Sequence, residues 1–254
     1  MVKQTKKLST KTTVAQINAT DKFPITDANG VVSLVTLATI KAALLDGASF
    51  NAMYDGVFIM YHDNSNNAPR MVKPHKWTSL QNGGQIADGV VVVEGGKCLV
   101  VAPTESASKL TWSSAAVSGG GTTTTDRVTA INDWAGKANT TSQIGHAECS
   151  SSSYAPGFCN AYSRSNANGQ GLTAGKWWLP SLGEMLMIYA NMTKINYALS
   201  LINGATQLQE DAYWTSTENS ATNAWILSLF NGYAFNGAKA SSTYRVRAVS
   251  AFIA

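Results

Sequence analysis

The apolar positions of the chain fall into short runs punctuated by turn formers, and their spacing assigns the elements. Gly89-Val90-Val91-Val92-Val93 and Cys98-Leu99-Val100-Val101-Ala102 flank Glu94-Gly95-Gly96 and read as a β-hairpin, with Trp112 packed beneath it. An earlier run, Gly56-Val57-Phe58-Ile59-Met60-Tyr61, reads as a strand leading into the turn-rich His62-Asp63-Asn64-Ser65-Asn66-Asn67. After the flexible Gly119-Gly120-Gly121, Asp126 is placed to cap a helix over residues 127 to about 137, burying Val128, Ile131 and Trp134. The Ser-, Asn- and Gly-rich residues 150–171 read as a long loop. Ser181 and Glu184 stand in capping-box relation, so a helix is expected over 182 to about 190, and a second over 194–202 stops at Asn203-Gly204. Four strands follow, at 212–216, 224–230, 233–236 and 244–252.

Before these elements lies a shorter block. Residues 1–47 combine a polar, basic start with Phe23-Pro24-Ile25-Thr26-Asp27, the turn Asn29-Gly30, an apolar stretch over 31–35 and a short helix over 37–45 capped by Thr36. The expected organisation is therefore an N-terminal attachment or oligomerisation module (1–47), a strand and connector (48–76) and a main domain (77–254) of α+β class.

Alternation about Asn231-Gly232 gives a finer expectation. A two-residue type I′ turn there pairs Phe230 with Tyr233 and Ser228 with Phe235, so that Ile226, Ser228, Phe230, Tyr233 and Phe235 share one face and Leu227, Leu229 and Ala234 the other. The second set is uniformly apolar and reads as core. The first mixes Ile, Ser, Phe and Tyr: left open it is an exposed aromatic patch of the kind that marks binding sites, and covered by residues 48–73 it is plain core.

Composition narrows the function classes. Charged residues make up only 13% of the 254, a low fraction that suits an exposed surface such as a virion. The net charge of +4 draws on Lys3, Lys6, Lys7 and Lys11, but no aromatics interleave with them and no nucleic-acid motif follows, so a solvated tail is the simpler reading. No apolar h-region follows the basic residues of the leader and no apolar run elsewhere is long enough to span a membrane, so the expectation is a protein made in the cytoplasm without a signal peptide. Cys98, Cys149 and Cys159 are too few for a disulfide scaffold; a Cys149–Cys159 bridge and free thiols both remain open. With His146 the last two supply three zinc-type ligands, but no fourth is evident. His62, His75 and His146 stand in no Ser-His-Asp or Cys-His context, and the Gly-rich stretches lack a phosphate-binding ending. Neither an enzyme nor a cofactor is expected.

One ordered set of motifs carries a resemblance. Gly175-Lys176-Trp177-Trp178-Leu179-Pro180-Ser181-Leu182-Gly183-Glu184, then Tyr213-Trp214-Thr215-Ser216-Thr217-Glu218, Asn223-Ala224-Trp225 and Arg245-Val246-Arg247-Ala248-Val249 resemble the C-type-lectin-fold variable proteins diversified by diversity-generating retroelements, a family that includes phage tail-tip tropism determinants. The resemblance spans roughly residues 77–254, and residues 1–47 more distantly resemble attachment segments of gut-phage structural proteins. It implies a C-type-lectin-like domain, two helices and a twisted antiparallel sheet with long loops, displaying a hypervariable surface.

In that family adenines are randomised, Asn codons above all. Such codons cannot become Met, Trp, Lys, Gln or Glu, and between Ile226 and Tyr244 only Lys239 is of those five types. The implied ligand-binding positions are Asn219, Ser220, Asn223, Ile226, Ser228, Phe230, Tyr233, Phe235, Asn236, Ala238, Ser241, Ser242 and Tyr244, with aromatic anchors and small polar contacts as in antibody paratopes. Trp177, Trp178, Trp214 and Trp225 are left to the core, and Arg245 and Arg247 to tying a loop through Glu218 or another carboxylate. The implied partners are a host-cell surface protein or glycan, phage tail or baseplate proteins through the N-terminal module, and further copies of the chain as a trimer. No nucleic acid and no membrane insertion are implied. The Glu-Pro-Asn and Gln-Pro-Asp signatures of calcium-dependent lectins are absent, as are the late cysteines of catalytic relatives of the fold. The alternative is a bacterial surface or fimbrial-type adhesin with a fixed lectin-like domain.

Overall fold

A computed structural model describes residues 22–26, 32–36 and 55–252. The chain divides into two compact units, residues 1–49 and 50–254. In the first, β1 (Lys22–Thr26) pairs antiparallel with β2 (Val32–Thr36), Phe23 opposite Val35 and Ile25 opposite Ser33. Thr36 closes β2; the basic leader, the Asn29-Gly30 turn and the helix expected over 37–45 lie outside the described residues.

The second unit is a mixed α+β structure built on two antiparallel sheets. The larger has β10 (Val249–Ser250), β6 (Lys97–Val101), β5 (Ala87–Glu94), β3 (Gly56–His62) and β4 (Pro69–Val72) in that order. The run expected to lead into a connector is thus β3, an internal strand paired to both β4 and β5, and the sheet begins well before Trp77. The smaller sheet is β7 (Ala212–Glu218), β8 (Asn223–Ser228) and β9 (Ala234–Ala238).

Strand alternation sends neighbouring side chains into two separate cores. On β5, Val90 and Val92 join one cluster while Val91 and Val93 join the other, and the paired residues of β6 follow: Leu99 and Val101 in the first, Val100 in the second. The first core is closed by α1 (Trp77–Asn82) and by the helices expected after Pro180, α6 (Leu182–Ala190) and α7 (Met192–Ser200). At α6 the Ser181 hydroxyl accepts from the Glu184 N–H at 3.4 Å and the Ser181 N–H donates to Glu184 Oε2 at 2.9 Å, which is the expected capping box. Along α7, Ile195, Ala198, Leu199 and then Ile202 form the buried stripe, and Gly204 takes the left-handed conformation (φ +74°) past its end.

The second core holds Trp112, Trp177 and Trp214, covered by α5 (Ala155–Ala161) beyond the short α4 (Ala147–Ser150). This corrects the long loop expected at 150–171. The Ser-rich run is only the turn before α5, where Pro156 sits in the first helical turn and Ala155 and Cys159 are buried.

The helix begun at Asp126 is also shorter than expected. Asp126 accepts from the Val128 and Thr129 N–H groups, but α2 (Arg127–Ile131) ends there and α3 (Gly136–Gln143) starts anew. Asp133 is the reason. Its carboxylate accepts from the Ala135 N–H, Asn139 Nδ2 and Thr217 Oγ1, contacts that a continuous helix would forbid. Val128 and Trp134 consequently stand exposed. The strand expected at 244–252 is reduced to β10, because this segment passes between sheets: Tyr244 bridges Leu110, Arg245 bridges Tyr213 of β7, and Val249 joins β6.

Candidate ligand-binding surface

The β8–β9 hairpin keeps the expected facing of Ile226, Ser228, Tyr233 and Phe235 but neither the expected turn nor the expected pairs Phe230–Tyr233 and Ser228–Phe235. Ile226 pairs with Phe235 and Leu227 with Ala234, while the Ser228 N–H donates to the Tyr233 carbonyl at 3.0 Å, so Ser228 and Tyr233 are opposed and residues 229–232 form a four-residue connection. A type I′ turn requires Asn231 in the left-handed region, and only Gly232 (φ +72°) takes it. Leu229 is drawn away from β9 by its N–H, which donates to the Asp211 carbonyl at 2.8 Å, and its side chain is buried. Gly232 lies so close to Tyr189 that a Cβ there would approach the ring at 2.6 Å.

The proposed display face is not open along its length. Ile226 is fully buried in the second core with Trp112, Trp214 and Val246, which corrects its assignment as a ligand contact. The small sheet carries a core on each face, with Trp225, Leu227 and Leu229 in the first and Ala224 and Ile226 in the second. The cover over Ile226 comes from the second core, in which residues 48–73 contribute Met60 and, at its margin, Phe58 and Met71.

Exposure rises toward the tip. Phe235 and Ser228 are half-buried, Tyr233 is 57% exposed and Phe230 70%. Phe235 and Tyr233 continue an aromatic series that starts in the core: Trp214 meets Tyr244 edge-on at 4.9 Å, Tyr244 meets Phe235 edge-on at 5.9 Å, and Phe235 stacks with Tyr233 at 6.1 Å. The buried end fixes the orientation of the exposed end.

The polar candidates form a second group. Asn223 pairs with Ala238, and its Nδ2 donates to Asn236 Oδ1 at 2.7 Å. By strand parity Asn223, Asn236 and Ala238 lie on the opposite hairpin face from Tyr233 and Phe235, so the candidates do not make one continuous face. Asn219 and Ser220 both donate their N–H to the Asn223 carbonyl in the β7–β8 turn; Ser241 and Ser242 occupy the loop after β9, where the Ser242 N–H donates to the Ala238 carbonyl.

Both loops are pinned from below by a contact the sequence did not reveal. Lys239 is fully buried and its Nζ donates to Glu218 Oε2 at 2.5 Å and to the Val117 carbonyl at 2.7 Å, lying 4.4 Å from the Trp112 ring centre. Burial draws its ammonium below the usual lysine value, and the Glu218 carboxylate opposes that shift. Glu218 also accepts from the N–H groups of Gly119 (2.8 Å) and Gly121 (3.2 Å), so the glycine run expected to be flexible is bound to the scaffold. A side chain at Gly119 would meet Glu218 Oε1 at 2.9 Å.

Arg245 and Arg247 do tie down a loop, through Glu105 rather than Glu218. Both contact Glu105, Arg245 also pairs with Asp211 at 2.9 Å, and the Tyr213 hydroxyl donates to the second Glu105 oxygen at 2.7 Å. The four tryptophans assigned to the core are all buried. Cys98, Cys149 and Cys159 are free thiols, and burial pushes Cys149 up to about 12 and Cys98 up to about 11, values that leave little thiolate at neutral pH. Among the described residues no group of three or more His, Cys, Asp or Glu side chains could hold a metal ion, and no helix is long and apolar enough to cross a membrane.

Beside the hairpin tip lies a groove of about 540 Å³ between α7 and residues 229–230, lined by Tyr189, Tyr197, Glu210 and Phe230 among others. Tyr197, 55% exposed, was missed in the sequence although the signal was there: it falls off the apolar stripe of α7.

No protein-family model matches the chain and no curated protein is similar to it. Among solved structures, a fimbrial protein from Bacteroides ovatus ATCC 8483 is similar with a TM-score of 0.41 and 19% identity, over 61% of this chain and 35% of that one. The chain thus spans about a third of that protein's length.

Proposed function

We propose that residues 50–254 form a C-type-lectin-like domain whose hairpin tip and adjoining loops are a receptor-binding surface, diversified by a retroelement and carried on a phage tail. The observation that carries this reading is the exposure of Tyr233, at the end of an aromatic series anchored in the core, and of Phe230 in the adjoining turn. Large apolar side chains left in water on a rigid support favour binding, because they offer contact area with little conformational freedom to lose. The distribution of fixed and free positions fits diversification. Lys239 is a scaffold residue, whereas Phe230, Tyr233, Asn236 and Ser241 project where replacement disturbs no core.

On this reading the ligand is a host-cell surface protein or glycan, the first unit attaches the domain to tail or baseplate proteins, and several copies, three by family resemblance, add avidity on the virion. Sequencing sibling genes together with their genomic surroundings tests it. The expected outcome is substitution concentrated at 219–244 outside Ile226, Gly232 and Lys239, with a reverse-transcriptase gene and a near-copy of the codons for 213–252 nearby. Variation spread evenly without adenine bias would overturn the retroelement reading, and a fixed tip binding one glycan would favour an adhesin.

A further inference from the structure

The groove beside the hairpin tip has a chemistry of its own. Its walls carry three aromatic rings, Tyr189, Tyr197 and Phe230, and Glu210 is the one charged residue among those lining it. The neighbouring Asp211 is neutralised by Lys109 and Arg245, both at 2.9 Å. Glu210 has neither ion pair nor hydrogen bond among the described residues, and the hydroxyls of Tyr189 and Tyr197 likewise donate to nothing there.

An unpaired carboxylate at the edge of aromatic faces attracts a cation twice over, through its own charge and through the negative ring faces. A neutral sugar could stack on the same rings and donate hydroxyls to the carboxylate, but only a cation also meets its charge and gains from the ring faces. We propose that the groove receives a lysine or arginine side chain projecting from a protein ligand, an anchor lying beside the exposed Phe230. This rests on the reading of the tip as a receptor-binding surface and deepens it. Tyr189, Tyr197 and Glu210 lie outside 219–244, so the groove would join an unvarying acidic wall to one exchangeable ring.

Titration of the full chain with N-acetyl-lysine methylamide and N-acetyl-arginine methylamide, followed by the NMR signals of the Asn196 and Gln207 side-chain amides in the groove wall, tests the proposal. Saturable shifts are expected with both. They should weaken with added salt, weaken about fivefold in Glu210→Gln and Tyr197→Ala, and be absent with the uncharged N-acetyl-norleucine methylamide. An unchanged thermal midpoint shows that each variant is folded. Equal binding by Glu210→Gln, or saturation by N-acetylglucosamine but not by the basic amides, overturns it. The titration reads the groove alone, so its failure alongside hypervariable sibling genes removes only this proposal, and its success alongside invariant siblings removes only the retroelement reading.

Discussion

Two single residues hold large consequences for stability. Glu184 is buried, and desolvation raises its carboxyl from 4.5 to about 7 despite the N–H groups of Ser181 and Trp178 that bond its Oε2. A carboxyl raised in the folded state keeps its proton where the unfolded chain has lost it. Its contribution to stability is therefore greatest below about pH 4.5, declines as pH rises from there to about 7, and is constant above. The decline is on the order of 3 kcal/mol. Glu184→Gln keeps one oxygen for both donors and the capping box intact, so its thermal midpoint, scanned from pH 4 to 8, is expected to lack this part of the wild-type slope. Gly232 is the other. Its φ of +72° and the 2.6 Å approach of a Cβ to Tyr189 add, so Gly232→Ala should lower stability by about 2 kcal/mol or more in urea unfolding. A loss under 0.5 kcal/mol would mean that the turn is rebuilt.

At the scale of elements, the end of β7 is joined to the loop after β9 by the Glu218–Lys239 pair, both fully buried. Removing one partner strands the other charge away from water, which costs about 3–5 kcal/mol, whereas removing both leaves no such charge. Lys239→Met alone should therefore destabilise the domain far more than Lys239→Met with Glu218→Gln, in which the amide can still accept from Gly119. Equal losses in a double-mutant cycle would show the pair to be uncoupled.

The same contacts explain what was legible in the sequence. The valines of β5, the capping box of α6 and the stop of α7 before Asn203-Gly204 are set by neighbours in the chain, and each is legible in the sequence. The break after Ile131, the helix in the Ser-rich stretch and the partner of Lys239 depend on residues far along the chain, such as Thr217 for Asp133 and Glu218 for Gly119. Alternation likewise separated Leu227 from Ser228 correctly, but it carries no information on what covers a face. That Trp112 and Trp214 close over Ile226 follows only from the assembled second core.

For the whole molecule, the two-core plan separates stability from display along one strand pair. Ile226, Ser228, Tyr233 and Phe235 share a face, yet the first lies among the tryptophans of the second core and Tyr233 lies mostly in water. Replacing the exposed aromatics should then leave folding alone: Phe230→Ser with Tyr233→Ser is expected to shift unfolding free energy by no more than about 1 kcal/mol in total. Ile226→Ser, at the same face but buried, removes core volume and places a hydroxyl in an apolar site, for a loss of roughly 3 kcal/mol or more. Adsorption to receptor-bearing cells should follow the opposite order, with the folded Phe230/Tyr233 variant losing about tenfold or more in affinity, as expected for truncated central anchors. Destabilisation by the tip variant comparable to that of Ile226→Ser would place those aromatics in a buried interface of the protein itself, and the display surface would have to be sought elsewhere.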